Sequence, residues 1–228
     1  MDFELYREKV LYFQKKYCKE VRTILDLACG PGNIARLLYE KNNNYVISGI
    51  DLSEEMVKLA RQSVPDGKFQ VCDLREIDFA DSYDAIIASF AIVHLTDQET
   101  RILIEKVSHL INPGGYLYLS FMAGEGDGYE TTSFSKQDIY FNYYKKGEIQ
   151  ELLASHSLRT EEVLEVDYEE ADGSISKDIF VIAEKISHQV KKQLLVSVDL
   201  ELVDYASLPR SEKKSQRVFD DRIQDEIV

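Results

Sequence analysis

The feature that most constrains the fold is a regular alternation of short apolar runs with amphipathic segments. The runs at 23–28 and 83–89 are almost continuously apolar, which is typical of strands that are buried on both faces of a sheet. Helix signals lie between such runs, for example Ser53 as an N-cap before two glutamates. Five strand–helix pairs and a closing pair of strands predict an α/β fold. We expect a doubly wound, mostly parallel seven-stranded sheet with an antiparallel final strand.

The distribution of charge suggests two parts of the chain. The 228 residues carry a formal net charge of −14, which disfavours a nucleic-acid backbone or an anionic membrane as the main partner. Residues 187–228 hold 7 basic and 8 acidic residues, so the acidic excess lies almost entirely in residues 1–186. We predict a first domain over 1–186, with a substrate-binding insert at about 124–146, and a C-terminal extension of unknown role over 187–228.

The cysteines and the N-terminus indicate the compartment. Cys18, Cys29 and Cys72 form no C-x-x-C pair, and an odd number of cysteines without metal-ligand spacing is typical of reduced thiols. The N-terminus lacks a basic segment followed by an apolar one, and no apolar run is long enough to cross a bilayer. We therefore expect a cytoplasmic protein with no metal site and no membrane segment.

The ends of the predicted strands carry the candidate binding residues, because ligands of such sheets bind beyond the carboxyl ends of the strands. Asp26 ends the first strand, and a turn with Gly30 and Gly32 follows, where the backbone can approach a ligand closely. Asp51 and Asp73 end the second and third strands. The turn alone also fits the dinucleotide-binding fingerprint, and each aspartate alone also fits a structural role. The glycine turn and the three strand-end aspartates together are a more specific signal for a ligand site than any one of them alone.

Four ordered motifs resemble those of class I S-adenosylmethionine-dependent methyltransferases, over about residues 20–186. They are Asp26-Leu-Ala-Cys-Gly-Pro-Gly-Asn33, Gly49-Ile-Asp-Leu-Ser53, Val71-Cys-Asp-Leu74 and Asn112-Pro-Gly-Gly115, and the stretch from Phe90 to Leu95 is similar to the family's segment after strand four. The resemblance implies a Rossmann-like methyltransferase fold and an enzyme that methylates a small-molecule acceptor by in-line transfer. It also implies S-adenosyl-L-methionine as cofactor and S-adenosyl-L-homocysteine as its product.

The resemblance also assigns expected roles in binding the cofactor. Asp26 would hold the amino group of the cofactor directly or through water, and Gly30 and Gly32 would lie along the methionine part. Asp51 would bind the ribose hydroxyls. The remaining expected residues are Leu52 on an adenine face, Asp73 and Leu74 at the adenine edge, Ser89 and Phe90 near the sulfonium, and Ala28, Asn33, Met56 and Cys72.

Candidate acceptor-side residues lie after the fourth strand and in the insert. His94 is the candidate general base, because imidazole titrates near neutrality, although a packed histidine in the pocket wall fits as well. Four tyrosines of the insert are candidates for substrate binding, since aromatic rings line many ligand pockets; a cover over the sheet edge explains them equally well. They are Tyr129, Tyr140, Tyr143 and Tyr144.

Several functions remain open at this stage. The strings around His94 and 143–148 faintly resemble a family that methylates modified wobble uridines in tRNA, but the acidic domain and the lack of a basic stripe disfavour an RNA substrate. The glycine turn alone also fits an NAD-dependent oxidoreductase, and the motifs alone also fit a catalytically inactive cofactor-binding module. The accepting atom, which is O, N, S or C, stays open, and a homodimer through the C-terminal extension is a further expectation.

Overall fold

The computed structural model describes residues 3–131, 138–169, 173 and 175–186. The chain divides into two compact units, Met1–Lys191 and Lys192–Val228. The second unit, the whole predicted extension 187–228 and residues 132–137 of the predicted insert lie outside the described residues. Within the described part of the chain, no helix is long and apolar enough to cross a membrane.

Helices and strands alternate as the sequence predicts. The helices are α1 (Phe3–Tyr17), α2 (Asn33–Lys41), α3 (Glu54–Ser63), α4 (Asp97–Leu110) and α5 (Lys146–Ser155). The strands are β1 (Thr23–Leu27), β2 (Val46–Asp51), β3 (Lys68–Val71), β4 (Tyr83–Ser89), β5 (Ile111–Met122), β6 (Asp127–Thr131), β7 (Asp138–Asn142), β8 (Leu158–Glu169) and β9 (Ile175–Lys185), and short 3-10 turns lie at Leu74–Glu76 and Ile92–His94.

Seven strands form one sheet in the order β3-β2-β1-β4-β5-β9-β8. The first five strands in this order are parallel, whereas β9 runs antiparallel to both of its neighbours. The predicted mostly parallel sheet with an antiparallel final strand is therefore confirmed. The order reverses between β1 and β4, so the carboxyl ends of β1, β2 and β4 lie next to each other at the place where ligands of such sheets bind.

The predicted N-cap at Ser53 is present, and a second cap lies before α4. The Ser53 hydroxyl accepts a hydrogen bond from the Met56 amide at the start of α3. Thr96 and Glu99 form a capping box at the start of α4, with the Glu99 carboxylate accepting from the Thr96 amide at 2.8 Å. These caps fix where both helices begin, directly after the strand ends that form the candidate site.

The Asn112-Pro-Gly-Gly segment differs from the sharp break that the sequence predicts. In the structure β5 begins earlier, at Ile111, and the pairing with β4 shifts its register between Tyr83 and Ala85. Gly115 is required there, because a Cβ atom would lie 2.6 Å from the Asp84 carbonyl oxygen. The turn is therefore a bulge within the start of the strand.

Helix α1 packs across β5 and β9. The Phe13 ring lies 5.3 Å from the Tyr118 ring, and the Glu162 carboxylate on β8 accepts hydrogen bonds from Tyr12, Lys16 and Tyr17. The sequence predicts the acidic run that contains Glu162 as the outward face of an edge strand. Strand β8 is indeed an edge strand of the sheet, and Glu162 also anchors α1 to it.

A second, two-stranded sheet lies within the predicted insert. Strands β6 and β7 pair antiparallel, with Tyr129 opposite Tyr140 and Asp127 opposite Asn142. This hairpin was not predicted from the sequence, because the glycine and aromatic content of the segment obscures the short alternation of β7. The hairpin brings the insert tyrosines next to the segment that follows β4.

Candidate active site

The turn after β1 has an unusual backbone conformation. Ala28, Gly30 and Gly32 all have positive φ angles, of 53°, 53° and 79°. Gly32 packs against α3, where a Cβ atom would lie 3.0 Å from the Ala60 Cα atom, whereas nothing lies within 4 Å of the corresponding position on Gly30. A left-handed alanine is strained, and strain of this kind often accompanies a functional site.

Asp26 lies beneath this turn and is almost completely buried, with 2% of its surface exposed. Its Oδ2 atom has no hydrogen-bond partner among the described residues. Burial, together with the charge of Asp51, raises the pKa of Asp26 to about 8, and a hydrogen bond from the Ala35 backbone offsets part of this shift. An orphaned buried carboxyl oxygen is costly to the fold and marks a place where a donor group can bind.

The Asp51 carboxylate at the end of β2 is held rigidly by backbone amides. Its Oδ2 atom accepts from the Gly30 amide at 2.8 Å, and its Oδ1 atom accepts from the Ser53 amide at 2.9 Å. A carboxylate offers about four acceptor sites, so each oxygen can accept one further hydrogen bond. The Asp51 carboxylate can therefore accept hydrogen bonds from two hydroxyl groups of a ligand.

Apolar side chains surround the ends of β2 and β3 and face solvent. Leu52 is 67% exposed, Val71 is 49% exposed and Met56 is 38% exposed. Cys72 and Leu74 are half-buried next to them. Exposed apolar side chains that cluster beside polar strand ends are typical of a surface that covers an aromatic ligand.

Asp73 is engaged within the protein. Its Oδ1 atom accepts from the Arg75 amide and from Arg75 Nε, both at 2.9 Å, while Oδ2 accepts from Arg75 Nη2. These hydrogen bonds lower the pKa of Asp73, and Arg75 also lies 3.5 Å from the Glu99 carboxylate. Asp73 thus caps the turn that begins at Leu74. Any further donor that approaches Asp73 has to compete with Arg75 for its oxygen atoms.

The end of β4 is linked to β5 by a buried serine. Ser120 is fully buried, and its Oγ atom lies 3.2 Å from Ser89 Oγ and accepts from the Phe90 amide at 3.0 Å. Phe90 has a φ angle of 53°, which is rare for a bulky residue, and its ring packs 5.2 Å from the Tyr6 ring of α1. The contacts with Ser120 hold this strained residue in place.

His94 is exposed and lies against the hairpin. Its Nδ1 atom is 2.9 Å from the Tyr140 carbonyl oxygen, and its ring lies 5.0 Å from the Phe141 ring. A carbonyl oxygen only accepts, so Nδ1 carries the proton in this contact and Nε2 keeps a free lone pair in the neutral ring.

The four insert tyrosines have different environments. Tyr129 is 75% exposed and packs edge-on against Tyr140, whose hydroxyl donates to Asp127. The Tyr143 hydroxyl donates to Glu130 at 2.9 Å. Tyr144 is buried, and its hydroxyl lies within hydrogen-bond distance of four groups: Thr100 Oγ1, Asn142 Nδ2 and the carbonyl oxygens of Ile92 and Leu95. The fold itself therefore uses the Tyr144 hydroxyl, which ties the hairpin to the segment after β4.

Four residues of this region were not predicted from the sequence: Arg75, Ser120, Tyr6 and Asp178. Tyr6 reads only as part of the apolar stripe of α1, and Asp178 lies just outside the predicted final strand. Two signals in the sequence could have indicated some of these residues. One is the i,i+2 spacing of Asp73 and Arg75, and the other is the acidic residue Asp178 at the start of the most apolar part of β9.

Comparisons with known proteins agree with this architecture. Residues 24–115 match a family model described as a methyltransferase domain. A second model, the C-terminal domain of AMP-binding enzymes, matches residues 152–222; the described part of that range contains β8 and β9, which complete the seven-stranded sheet.

Curated relatives include trans-aconitate 2-methyltransferase from Azoarcus sp., 39% identical over 43% of this chain and 38% of that protein. Another is demethylmenaquinone methyltransferase from Thermotoga maritima, 40% identical over 36% of each protein. The chain thus matches well under half the length of these relatives. An S-adenosylmethionine-dependent methyltransferase structure from Methanosarcina mazei has a TM-score of 0.66 at 21% identity, covering 75% of this chain and 96% of that chain, and it shows the same fold.

Proposed function

We propose that this chain carries a class I methyltransferase domain and is an enzyme that uses S-adenosyl-L-methionine to methylate a small-molecule acceptor. The observation that carries the proposal is the buried Asp26 carboxyl group, whose Oδ2 atom lacks a partner among the described residues. The amino group of the cofactor is a cationic donor, so it would supply the missing hydrogen bond and favour the charged carboxylate.

The other strand ends fit the same ligand. The two free acceptor positions of Asp51 suit the two ribose hydroxyls, and the exposed Leu52 and Met56 suit an adenine face. Bound S-adenosylmethionine supplies an electrophilic methyl group. The contribution of the chain is to bind and orient the reactants and to exclude water, which is the main requirement of an in-line displacement.

A pyrophosphate cofactor fits the turn less well. The Gly30 amide donates to Asp51, and the Gly32 amide donates to the Cys29 carbonyl oxygen at 3.0 Å. Two amides that bind pyrophosphate in dinucleotide-binding turns are therefore used inside the protein. The buried Asp26 carboxyl group beneath the turn also disfavours an anionic pyrophosphate, which favours a cationic cofactor over NAD.

Most of the remaining candidates keep their expected place in the cofactor site, whereas Asp73 has a different role. We retain Ala28, Gly30, Gly32, Asn33, Cys72, Leu74, Ser89 and Phe90 as residues that line the cofactor site. We propose that Asp73 mainly orients the turn that carries the Leu74 amide, because Arg75 engages both of its oxygens.

On the acceptor side, His94 keeps its predicted role as a base through Nε2 if the acceptor has to lose a proton. Tyr129, Tyr140 and Tyr143 stay in the proposed acceptor site. Tyr144 is left out of it, because its hydroxyl is buried in the network that holds the hairpin.

The proposal also covers the class of acceptor, the cellular location and the oligomeric state. The relatives include a trans-aconitate 2-methyltransferase and a demethylmenaquinone methyltransferase, which supports a small-molecule acceptor, and the net charge of −14 argues against RNA. A cytoplasmic location and a homodimer through residues 187–228 remain predictions from the sequence.

Calorimetric titration separates the proposed function from its alternatives. We expect S-adenosylhomocysteine to bind and NADH not to bind, and we expect Asp26→Asn to weaken the first interaction. Asp66→Asn is the matched control, because Asp66 is an exposed aspartate that accepts a hydrogen bond from Tyr39. Binding of NADH without S-adenosylhomocysteine would make the chain a dinucleotide-binding protein. Transfer of a labelled methyl group to a panel of acceptors then separates an active enzyme from an inactive binding module.

A further inference from the structure

The Asp73 carboxylate follows the end of β3, beside the proposed ribose site. The Cys72 amide donates to the Asp51 carbonyl oxygen at 3.0 Å, so the segment that carries Asp73 is joined to the end of β2. The side chain of Asp73 is 18% exposed, whereas that of its partner Arg75 is 54% exposed. Because the proposed function places the edge of the adenine at this point, the acceptor capacity of Asp73 bears directly on how the base is recognised.

We propose that Arg75 is a specificity-determining residue of the cofactor site. By occupying the Asp73 carboxylate, Arg75 leaves no acceptor there for the 6-amino group of adenine, so the site binds purine nucleoside cofactors with or without that group. The inference rests on the proposed function and concerns the part of that same site that binds the base. Arg75 acts through Asp73, and the Leu74 amide remains the polar group at the edge of the ring.

The first argument counts hydrogen bonds. Asp73 Oδ1 accepts from the Arg75 amide and from Arg75 Nε, both at 2.9 Å, and Oδ2 accepts from Nε at 3.0 Å and from Nη2. A carboxylate offers about four acceptor positions, and Arg75 fills all of them. Each oxygen of Asp51, in contrast, accepts one hydrogen bond from the backbone and keeps a position for the ribose.

The second argument concerns the strength of these hydrogen bonds. A guanidinium group donates charge-assisted hydrogen bonds in a fixed fork, and such bonds are roughly twice as strong as those from a neutral donor. The 6-amino group of adenine is a neutral donor. An exchange of partners on Asp73 would therefore replace a stronger hydrogen bond with a weaker one, which disfavours the exchange.

Arg75 is also held by contacts outside the pair. Its Nη1 atom lies 3.5 Å from Glu99 Oε1, and Glu99 is itself fixed by the capping box with Thr96. The Arg75 carbonyl oxygen accepts from Lys106 Nζ on α4 at 2.9 Å. Both the backbone and the guanidinium group of Arg75 are therefore tied to α4, and these ties favour the position of the guanidinium on Asp73.

Two ligands that differ only at the 6-position of the purine test the inference by calorimetry on the full chain. They are S-adenosylhomocysteine and its analogue with hydrogen in place of the 6-amino group, which keeps ring nitrogen N1 as an acceptor. We expect the wild type to bind the two ligands within about threefold of each other. Arg75→Ala frees the Asp73 carboxylate, so S-adenosylhomocysteine should then bind about tenfold or more tightly than the analogue, as expected for a hydrogen bond to a charged acceptor.

Matched variants keep the test specific. Asp73→Asn added to Arg75→Ala should return the ratio of the two affinities to about threefold or less, because the acceptor is then uncharged. Arg159→Ala is the control and should leave the ratio unchanged, since Arg159 likewise pairs with an acid two positions away, Glu161, and with a distant one, Glu184. Arg75→Lys keeps the cation but not the fork, so it should also raise the ratio above that of the wild type, and it serves if Arg75→Ala fails to fold.

Each contrary result overturns a defined claim. The inference fails if the ratio of the two affinities is the same in the wild type and in Arg75→Ala, or if the preference that Arg75→Ala creates survives the added Asp73→Asn. It also fails if the wild type already prefers S-adenosylhomocysteine by about tenfold or more. Loss of such a preference in Asp73→Asn alone would mean that Asp73 binds the 6-amino group directly. If the wild type binds neither ligand, the proposed function fails instead.

Discussion

Replacing Asp26 with asparagine removes a carboxyl group that the fold keeps almost fully out of water. In the ligand-free protein this carboxyl group destabilises the fold, because its buried environment disfavours the charged form. In the bound protein it would be the partner of the cofactor amino group. We therefore expect Asp26→Asn to stabilise the free protein near neutral pH and to weaken cofactor binding.

The size of the effect follows from the shift in pKa. The pKa of Asp26 is raised to about 8 in the folded protein, against about 3.9 for an unperturbed aspartate. Between these values the folded state holds a proton that the unfolded state has lost, so this group makes the protein less stable as the pH rises. Each pH unit in this range costs about 1.4 kcal/mol, so the accumulated cost from pH 5 to pH 8 is about 4 kcal/mol. Asparagine does not titrate and removes this dependence.

Urea denaturation of the ligand-free wild type and the variant, at pH 5, 6, 7 and 8, measures the difference directly. The free energy of unfolding of the variant should rise relative to that of the wild type by about 1.4 kcal/mol per pH unit from pH 5 to pH 7, and by less between pH 7 and pH 8. Asp66→Asn, at an exposed aspartate, should show no such trend. A difference between Asp26→Asn and wild type that is constant across this range would refute the assignment of a raised pKa to Asp26.

Three other predictions follow from the same contacts. Asp51→Ala should weaken S-adenosylhomocysteine binding by several-fold to about a hundredfold in calorimetry, as expected for loss of charge-assisted hydrogen bonds. Tyr144→Phe should lower the free energy of unfolding by about 2 kcal/mol in urea, since it leaves buried partners unpaired, whereas Tyr39→Phe at the surface should change it little. The hydrogen bond from Lys16 lowers the pKa of Glu162, so Glu162→Gln should cost about 1 kcal/mol at pH 7 in thermal denaturation; the loss should diminish as the pH falls below the ordinary pKa of a glutamate and through the lowered pKa of Glu162, where the wild-type carboxylate becomes protonated.

Much of the fold was predictable from local signals in the sequence. The strand at Tyr83–Ser89 has the bounds that the apolar run predicts, and α3 begins directly after the predicted N-cap Ser53, because both signals are encoded by neighbouring residues. The strand-end aspartates could also be predicted from the sequence, because the rule that ligands bind beyond the carboxyl ends of the strands needs only the strand bounds.

The remaining features depend on contacts between distant parts of the chain. The hydrogen bond from Tyr6 to Asp178 joins residues 172 positions apart, and nothing in either local sequence points to the other. The hairpin β6–β7 owes its position to the buried contacts of Asn142 and Tyr144 with the segment after β4. The pairing of Asp73 with Arg75 was within reach of the sequence, but its two-residue spacing also fits an ordinary exposed turn.

A crystal structure of the protein with S-adenosylhomocysteine tests the central claim most directly. We expect the amino nitrogen of the ligand to lie within hydrogen-bond distance of Asp26, both ribose hydroxyls to donate to Asp51, and the adenine to lie against Leu52. A ligand bound away from these strand ends, or an Asp26 carboxyl group with no contact to its amino group, would contradict the account.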